Sequence, residues 1–231
     1  MRLPTRWATV LLTLLVALGL SATAANAAVW SSSDKWATWS DGGYTVRNNI
    51  WDSGAGPQTI WANSYGNWGV SADHPDTGGV KAYPHSGRII DKRLSELNSL
   101  KSSFDVSVPA DGSYATAYDI WCDDYGYEIM LWANQNGPVG PIGSQRATVS
   151  VGGHSWDVYK GSNGSNAVFS FVRNGDANAG TVDIKAVLNW IADRGWFSDD
   201  VSVQDVQFGF EITSSSGGLE FVSNSYSVTS S

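Results

Sequence analysis

A single cysteine, Cys122, is all that this 231-residue chain contains. No intrachain disulfide can form, so the fold must rest on its hydrophobic core, and a buried, inert thiol is expected because Cys122 shares a strand face with Tyr118 and Ile120. Histidine is almost as scarce. His74, His85 and His154 lack the spacing of zinc ligands, and surface or loop positions are expected for them. No calcium-loop pattern stands out among the acidic residues, and no Gly-rich stretch has the strand-to-helix setting of a nucleotide loop, so neither metal nor cofactor is expected. Positive charge is also short. With 14 Lys and Arg against 22 Asp and Glu, the formal charge is -8, which argues against nucleic acid or anionic membranes as partners and suits a neutral ligand. Internal repeats, heptads and a linker to a second module are absent, and beyond residue 27 no apolar run is long enough to span a membrane.

The start of the chain bears on where the protein works. Arg2 and Arg6 precede the apolar run Trp7 to Leu20, and Ala25-Asn26-Ala27 has the small-x-small pattern of a cleavage site. Residues 1–27 are therefore expected to be a signal peptide, since the apolar stretch falls short of the roughly 20 residues a spanning helix needs. The protein is expected to be secreted. Residues 28–231 are expected to form a single domain and to act as a monomer, about 200 residues being ordinary for one all-β sandwich. Asn163-Gly164-Ser165 fits the acceptor pattern for N-glycosylation, which matters only in a host that glycosylates exported chains.

Aromatic residues are abundant. There are 12 tryptophans, all but Trp7 beyond the leader. Some must be core, but Trp51, Trp68, Trp121 and Trp132 sit among Gly, Asn and Asp or on the more polar face of a strand. Exposed in a groove, such rings stack on sugar rings while neighbouring Asn, Asp and Gln bond the hydroxyls. Composition fits that reading and plain core packing equally well.

Many short alternating segments separated by turn clusters such as Asp111-Gly112, Gly152-Gly153 and Asn174-Gly175 predict an all-β assembly. Strands are predicted at 44–51, 59–64, 81–84, 104–108, 114–123, 127–135, 147–151, 155–160, 168–173, 201–212 and 219–228. One helix is predicted where Ile184, Val187, Leu188 and Ile191 follow helical spacing, with Thr181 as N-cap and Gly195 near its end.

Strand alternation then sorts the faces. In YEIMLW, Ile129 and Leu131 share one face and Glu128, Met130 and Trp132 the other. In QFGFEI, Phe208, Phe210 and Ile212 oppose Gln207, Gly209 and Glu211. Asn49 groups with Trp51 in the same way, and Asp119 with Trp121. If these four strands lie in one sheet they form a groove; if not, they are four unrelated half-exposed strands. Two carboxylates on strands of one sheet are what glycoside hydrolysis requires, one as nucleophile or base and one to protonate the leaving oxygen. Glu220, between Leu219 and Phe221, is expected to face solvent.

Ordered segments along nearly the whole mature chain resemble glycoside hydrolase family 12, the small secreted β-1,4-glucanases. They are KWATWSDGGYTVRNNIWDS from Lys35, VKAYPHS from Val80, ATAYDIW from Ala115, YEIMLWANQNGPVGPIGS from Tyr127, SVGGHSWDVYKGSNGSNAVFSFV from Ser150, and FGFE ending at Glu211. The resemblance implies a β-jelly roll sandwich of two antiparallel sheets with a concave substrate cleft. It implies a retaining endo-β-1,4-glucanase acting on cellulose-like β-glucan, or on xyloglucan or mixed-linkage glucan. By the same resemblance Glu128 is the nucleophile, Glu211 the general acid/base, and Asp119 the residue that hydrogen-bonds and orients the nucleophile. Asn49, Trp51 and Met130 match cleft positions, and with Trp68 and Trp132 they make up the expected substrate-binding set.

Three departures from the family pattern stand out. Ile212 and Thr213 lead into Ser214-Ser215-Ser216-Gly217-Gly218 where members carry a Pro and an aromatic, and that loop is expected to border the leaving-group side of the cleft. The Cys122 to Gly126 connection is short, and the N-terminal cysteine pair of many members is missing. Each bears on which glucan fits.

Overall fold

The computed structural model describes residues 28–231; the expected leader, residues 1–27, lies outside the described residues. The strands in chain order are β1 (Trp30–Ser32), β2 (Thr38–Asp41), β3 (Tyr44–Arg47), β4 (Gln58–Ala62), β5 (Trp68–Ala72), β6 (His85–Arg93), β7 (Leu100–Ser107) and β8 (Ser113–Cys122). They continue with β9 (Tyr127–Asn136), β10 (Ser144–Val151), β11 (His154–Ser162), β12 (Ala167–Arg173) and β13 (Ala179–Asp183), then helix α1 (Ile184–Ala192), β14 (Ser202–Ser214) and β15 (Leu219–Ser230). Six strands make one sheet, in the order β1-β4-β5-β15-β7-β13, and nine make the other, in the order β10-β11-β12-β9-β8-β14-β6-β3-β2. Pairing is antiparallel throughout except between β12 and β9, which run parallel. This is the all-β jelly-roll sandwich with one α-helix that the sequence leads one to expect.

Alternation builds the core as the strand faces predict. Phe208, Phe210 and Ile212 of β14, Tyr118, Ile120 and Cys122 of β8, and Ile129 and Leu131 of β9 are all fully buried. Rings from the opposite sheet meet them, with Phe104 of β7 at 5.1 Å from Phe208 and Trp68 of β5 at 5.4 Å from Phe210, centroid to centroid. Burial of such aromatics adds to the hydrophobic stabilisation on which a fold with a single cysteine depends. Trp68 is thereby corrected. It is 0% exposed between the sheets and cannot touch substrate. Its Gly and Asn neighbours made it resemble a groove residue, but β5 belongs to the six-stranded sheet and its indole lies between the two sheets.

The helix buries Ile184, Val187, Leu188 and Ile191 as its spacing predicts, and Gly195 follows it in a left-handed conformation at φ 65°. Its N-cap is Asp183, whose carboxylate accepts from Ala186 N at 3.0 Å. Thr181, the expected cap, lies inside β13, because pairing with β7 holds the chain extended to Asp183. Two strand boundaries also differ. The segment predicted from Tyr44 ends at Arg47, since Asn49 turns left-handed at φ 45°, and the one predicted at 81–84 contributes only bridges from Ala82 to Ile50 and Ile212. The strands not anticipated, β1, β2, β5, β6 and β13, are short or, in the outer half of β6, too polar for a clear alternation. His74 and His85 are both buried rather than superficial. Glu220 is exposed and Cys122 is a buried free thiol, both as expected.

Candidate active site

Strand register decides which side chains meet. Asp119 on β8 stands opposite Met130 on β9 and, across its other edge, opposite Gln207 on β14. Trp121 stands between Glu128 and Asp205 in the same way, and Ala115 stands opposite Glu211. The three polar strand faces read from the sequence are thus adjacent on one surface of the nine-stranded sheet. Beyond them β6 brings His85 and β3 brings Arg47, paired with each other. Together these residues, Ala115 apart, line a cleft of 590 Å³ that also takes in Asn49, Trp51 and Tyr125. A second cavity of 250 Å³, lined by Trp132, Val139, Ile142 and Thr213, adjoins it, and Glu128, Met130 and Glu211 line both. The two glutamates therefore stand where the two halves of the groove meet.

Each wall residue has a local reason for its position. Asn49 donates its side-chain amide to Tyr83 O at 3.1 Å, while Tyr83 N donates to Asn49 O at 3.0 Å, so the left-handed turn is pinned to the segment that leads into β6. Trp51, just after it, is 50% exposed and offers an open ring at the rim. Ala115, Ala117, Met130, Trp132 and Val168 form a small apolar cluster beneath the second cavity. Small residues on β8 leave room there for the larger side chains of β9. Asn49, Trp51, Met130 and Trp132 thus all face the groove, as expected, and Trp68 does not.

The loop after Glu211 departs from expectation. Only Thr213 reaches the cavity. Ser215 N donates to His74 O at 3.0 Å, His74 N donates to Ser215 Oγ at 2.9 Å, and Gly217 N donates to Asp73 Oδ1 at 2.9 Å. These bonds tie 215–217 to the 73–74 segment and away from the groove.

Burial and mutual repulsion separate the carboxyl groups. Burial, then the charge of Glu128, pushes Glu211 up from an ordinary 4.5 to about 7. Glu128 is also raised by burial, but a hydrogen bond from Asn163 Nδ2 to its Oε2, at 3.0 Å, works in the opposite direction. Asp119 is raised well above the usual range, by burial first and then by Glu128, Glu211 and Asp205. Asp119 makes no hydrogen bond to Glu128 among the described residues; the side-chain hydrogen bond that the Glu128 carboxylate accepts comes from Asn163.

Several cleft residues went unread in the sequence. Asp205 lies on the same alternation as Gln207 and Glu211, and period 2 could have found it. It is 3% exposed, accepts from Gln207 Nε2 at 2.8 Å through Oδ2, and has no partner for Oδ1. His85 donates Nδ1–H to Tyr83 O at 2.8 Å, which leaves a buried Nε2 lone pair unpartnered, and burial pushes its pKa down to about 4. The imidazole is therefore neutral, with Nε2 an acceptor. Such unfilled groups suit a ligand rich in hydroxyls.

The raised carboxyl pKa values carry a stability consequence. A carboxyl held protonated to higher pH in the folded state stabilises fully below about 4.5 and loses that contribution as pH rises through about 7. For Glu211 the loss is on the order of 3 kcal/mol. Urea unfolding of the wild type at about pH 5 and about pH 8 is expected to show lower stability at the higher pH. Glu211→Gln, which cannot ionise, is expected to narrow that difference; an unchanged difference would contradict the assigned environment.

Comparison with known proteins agrees with this geometry. The family model described as glycosyl hydrolase family 12 matches residues 42–229. A probable xyloglucan-specific endo-beta-1,4-glucanase A of Aspergillus fumigatus is 31% identical over 242 residues, covering 94% of this chain and 98% of that protein. Endoglucanase S of Pectobacterium parmentieri is 32% identical over 210 residues, covering 77% and 78% respectively. Among solved structures, the xyloglucanase domain of NopAA, a type three effector from Sinorhizobium fredii in complex with cellobiose, superposes with a TM-score of 0.84 at 41% identity, covering 88% of this chain and 99% of that one. With a jelly roll, a groove crossing one sheet, two glutamates at its centre and a family match over most of its length, this chain belongs to glycoside hydrolase family 12.

Proposed function

We propose that this protein is a retaining endo-β-1,4-glucanase of cellulose-like chains in which Glu128 is the nucleophile and Glu211 the general acid/base. The observation that carries the reading is the asymmetry of the pair. Glu211 holds its proton to about 7, whereas Glu128 accepts an amide hydrogen bond that favours its charged form. Glu211 protonates the departing glycosidic oxygen as Glu128 attacks the anomeric carbon through an oxocarbenium-like transition state. Glu211 then takes a proton from the water that releases the glycosyl group. Groove lies on both sides of the pair, 590 Å³ on one and 250 Å³ on the other, which supports cutting within a chain rather than at its end.

Export rests on the leader pattern in residues 1–27, with 28–231 as the mature catalytic domain. The proposed active unit is a monomer. A second reading, xyloglucan as the preferred backbone, is favoured by the activities named for the Aspergillus and Sinorhizobium relatives.

Release of reducing ends from carboxymethyl cellulose, barley β-glucan and xyloglucan separates the readings. Release from unbranched glucans is expected, and a strong preference for xyloglucan would establish the second reading. Proton NMR of the first product is expected to show the β-anomer. An initial α-anomer would refute retention, and binding without release would refute catalysis.

A further inference from the structure

The Asn163-Gly164-Ser165 segment reads in the sequence as a turn and a glycosylation acceptor, yet its asparagine reaches into the groove. Asn163 Oδ1 accepts from Ser165 N at 2.9 Å and from Asn166 N at 2.8 Å. Those two bonds fix the plane of the side-chain amide and leave only Nδ2 free to donate. Nδ2 meets Glu128 Oε2 at 3.0 Å.

The loop that carries it is itself anchored. Gly161 packs against Gly143 so closely that a Cβ there would lie 2.7 Å from the Gly143 Cα, which fixes the approach of β11 to the turn. At the other side Asn166 Nδ2 donates to Tyr125 O, and Ala167 N donates to Gly126 O at 3.2 Å. The short 123–126 turn is therefore one support of the loop. The parallel pairing of Val168 with Glu128 sets the distance between amide and carboxylate.

We propose that Asn163 is a positioning residue for the nucleophile, occupying Oε2 of Glu128 so that Oε1 is the oxygen that attacks the anomeric carbon. This rests on Glu128 being the nucleophile. Its neighbours explain why such a donor is required. The titratable groups facing the cleft around Glu128 are Asp119 from β8, Asp205 and Glu211 from β14, Tyr125 from the turn, Tyr83 from the segment before β6, His85 from β6 and Arg47 from β3. Arg47 is the sole cation among the residues lining that cleft, and its charge bears on Asp205 and His85 rather than on Glu128. The Asn163 amide is thus the one identified influence that favours the charged form of Glu128 against its burial.

The test uses barley β-glucan, a neutral substrate, and the variants Asn163→Asp, Asn163→Ala and Glu128→Gln. Asn163→Asp keeps an acceptor for Ser165 N and Asn166 N, so the loop persists while the donor is lost. Both Asn163 variants are expected to lose about 10- to 100-fold in kcat with little change in KM. The acid limb of kcat/KM is expected to move to higher pH, and further for Asp, which adds a negative charge. A merely structural role would not move that limb. If Glu128→Gln is inactive while Asn163→Asp keeps kcat within about twofold and an unmoved acid limb, the positioning role is overturned and the nucleophile stands. If Glu128→Gln itself turns over normally, the nucleophile assignment falls, and this proposal with it.

Discussion

Glu128→Gln is expected to lose about 10⁶-fold in kcat, as removal of a nucleophile does elsewhere, and Glu211→Gln about 10²- to 10⁴-fold, the usual contribution of a general acid. The difference in size follows from the chemistry. On the proposed roles, no glycosyl-enzyme can form without Glu128, whereas without Glu211 a substrate with a good leaving group still departs unaided. An activated aryl glycoside is therefore expected to restore much of the first step in Glu211→Gln and none of it in Glu128→Gln. Small-anion rescue sharpens the assignment. Azide added to Glu128→Ala is expected to yield an α-glycosyl azide, because the anion takes the place of the enzymic nucleophile. Azide added to Glu211→Ala is expected to yield the β-product, because it intercepts the glycosyl-enzyme. Product stereochemistry by NMR checks both, and exchanged outcomes would exchange the two roles. The pH profile follows from the same pair. Activity is expected to fall on the alkaline side as pH rises through about 7, where Glu211 loses its proton.

Gly209→Ala is expected to have the largest effect outside the glutamate pair, although position 209 carries no functional group. A Cβ at Gly209 would lie 2.0 Å from Pro84 O and 2.8 Å from the His85 Cα. The carbonyl cannot simply retreat, because it accepts from Phe210 N at 3.1 Å, and the next link of the same crossing is Ile212 N to Ala82 O at 2.9 Å. Glu211 sits between those two bonds. Moving the 82–85 segment off β14 therefore moves Glu211, the proposed acid/base. Overpacking of this kind costs about 1 to 3 kcal/mol, and a displacement of about 1 Å at a reacting group costs about 10²-fold in rate. Denaturant unfolding and kcat measured on the same preparation check both. Wild-type activity in a folded Gly209→Ala protein would show that the close approach does not position Glu211.

Much of the site was legible because strand periodicity is a local property. Glu128, Met130 and Trp132 had to share a face, as did Gln207 and Glu211, whatever the rest of the chain did. Asp205 was equally legible on that pattern, two residues before Gln207. Asn163 was not. Its local context is a turn, and its role arises from the parallel pairing of β12 with β9, which no local pattern encodes. His85 lies in a motif of the family but was read as superficial, because its burial depends on Tyr83 stacking against it at 4.8 Å and on the strands to either side. Trp68 erred in the other direction. Gly and Asn neighbours accompany both groove and core tryptophans, and only the sheet to which β5 belongs separates the two.

By itself, then, the chain's amino-acid order determined an all-β domain built on its core, the pair of glutamates and the faces they occupy, since composition and two-residue alternation are properties of the chain alone. Tertiary structure decided the rest. It placed the polar faces side by side, sent the 215–217 loop to His74 instead of the groove, and gave Glu128 its hydrogen bond from Asn163 rather than from Asp119. The physical reason is that these outcomes depend on strand pairing between distant segments, and pairing is set by how whole faces bury against one another rather than by any residue's immediate neighbours.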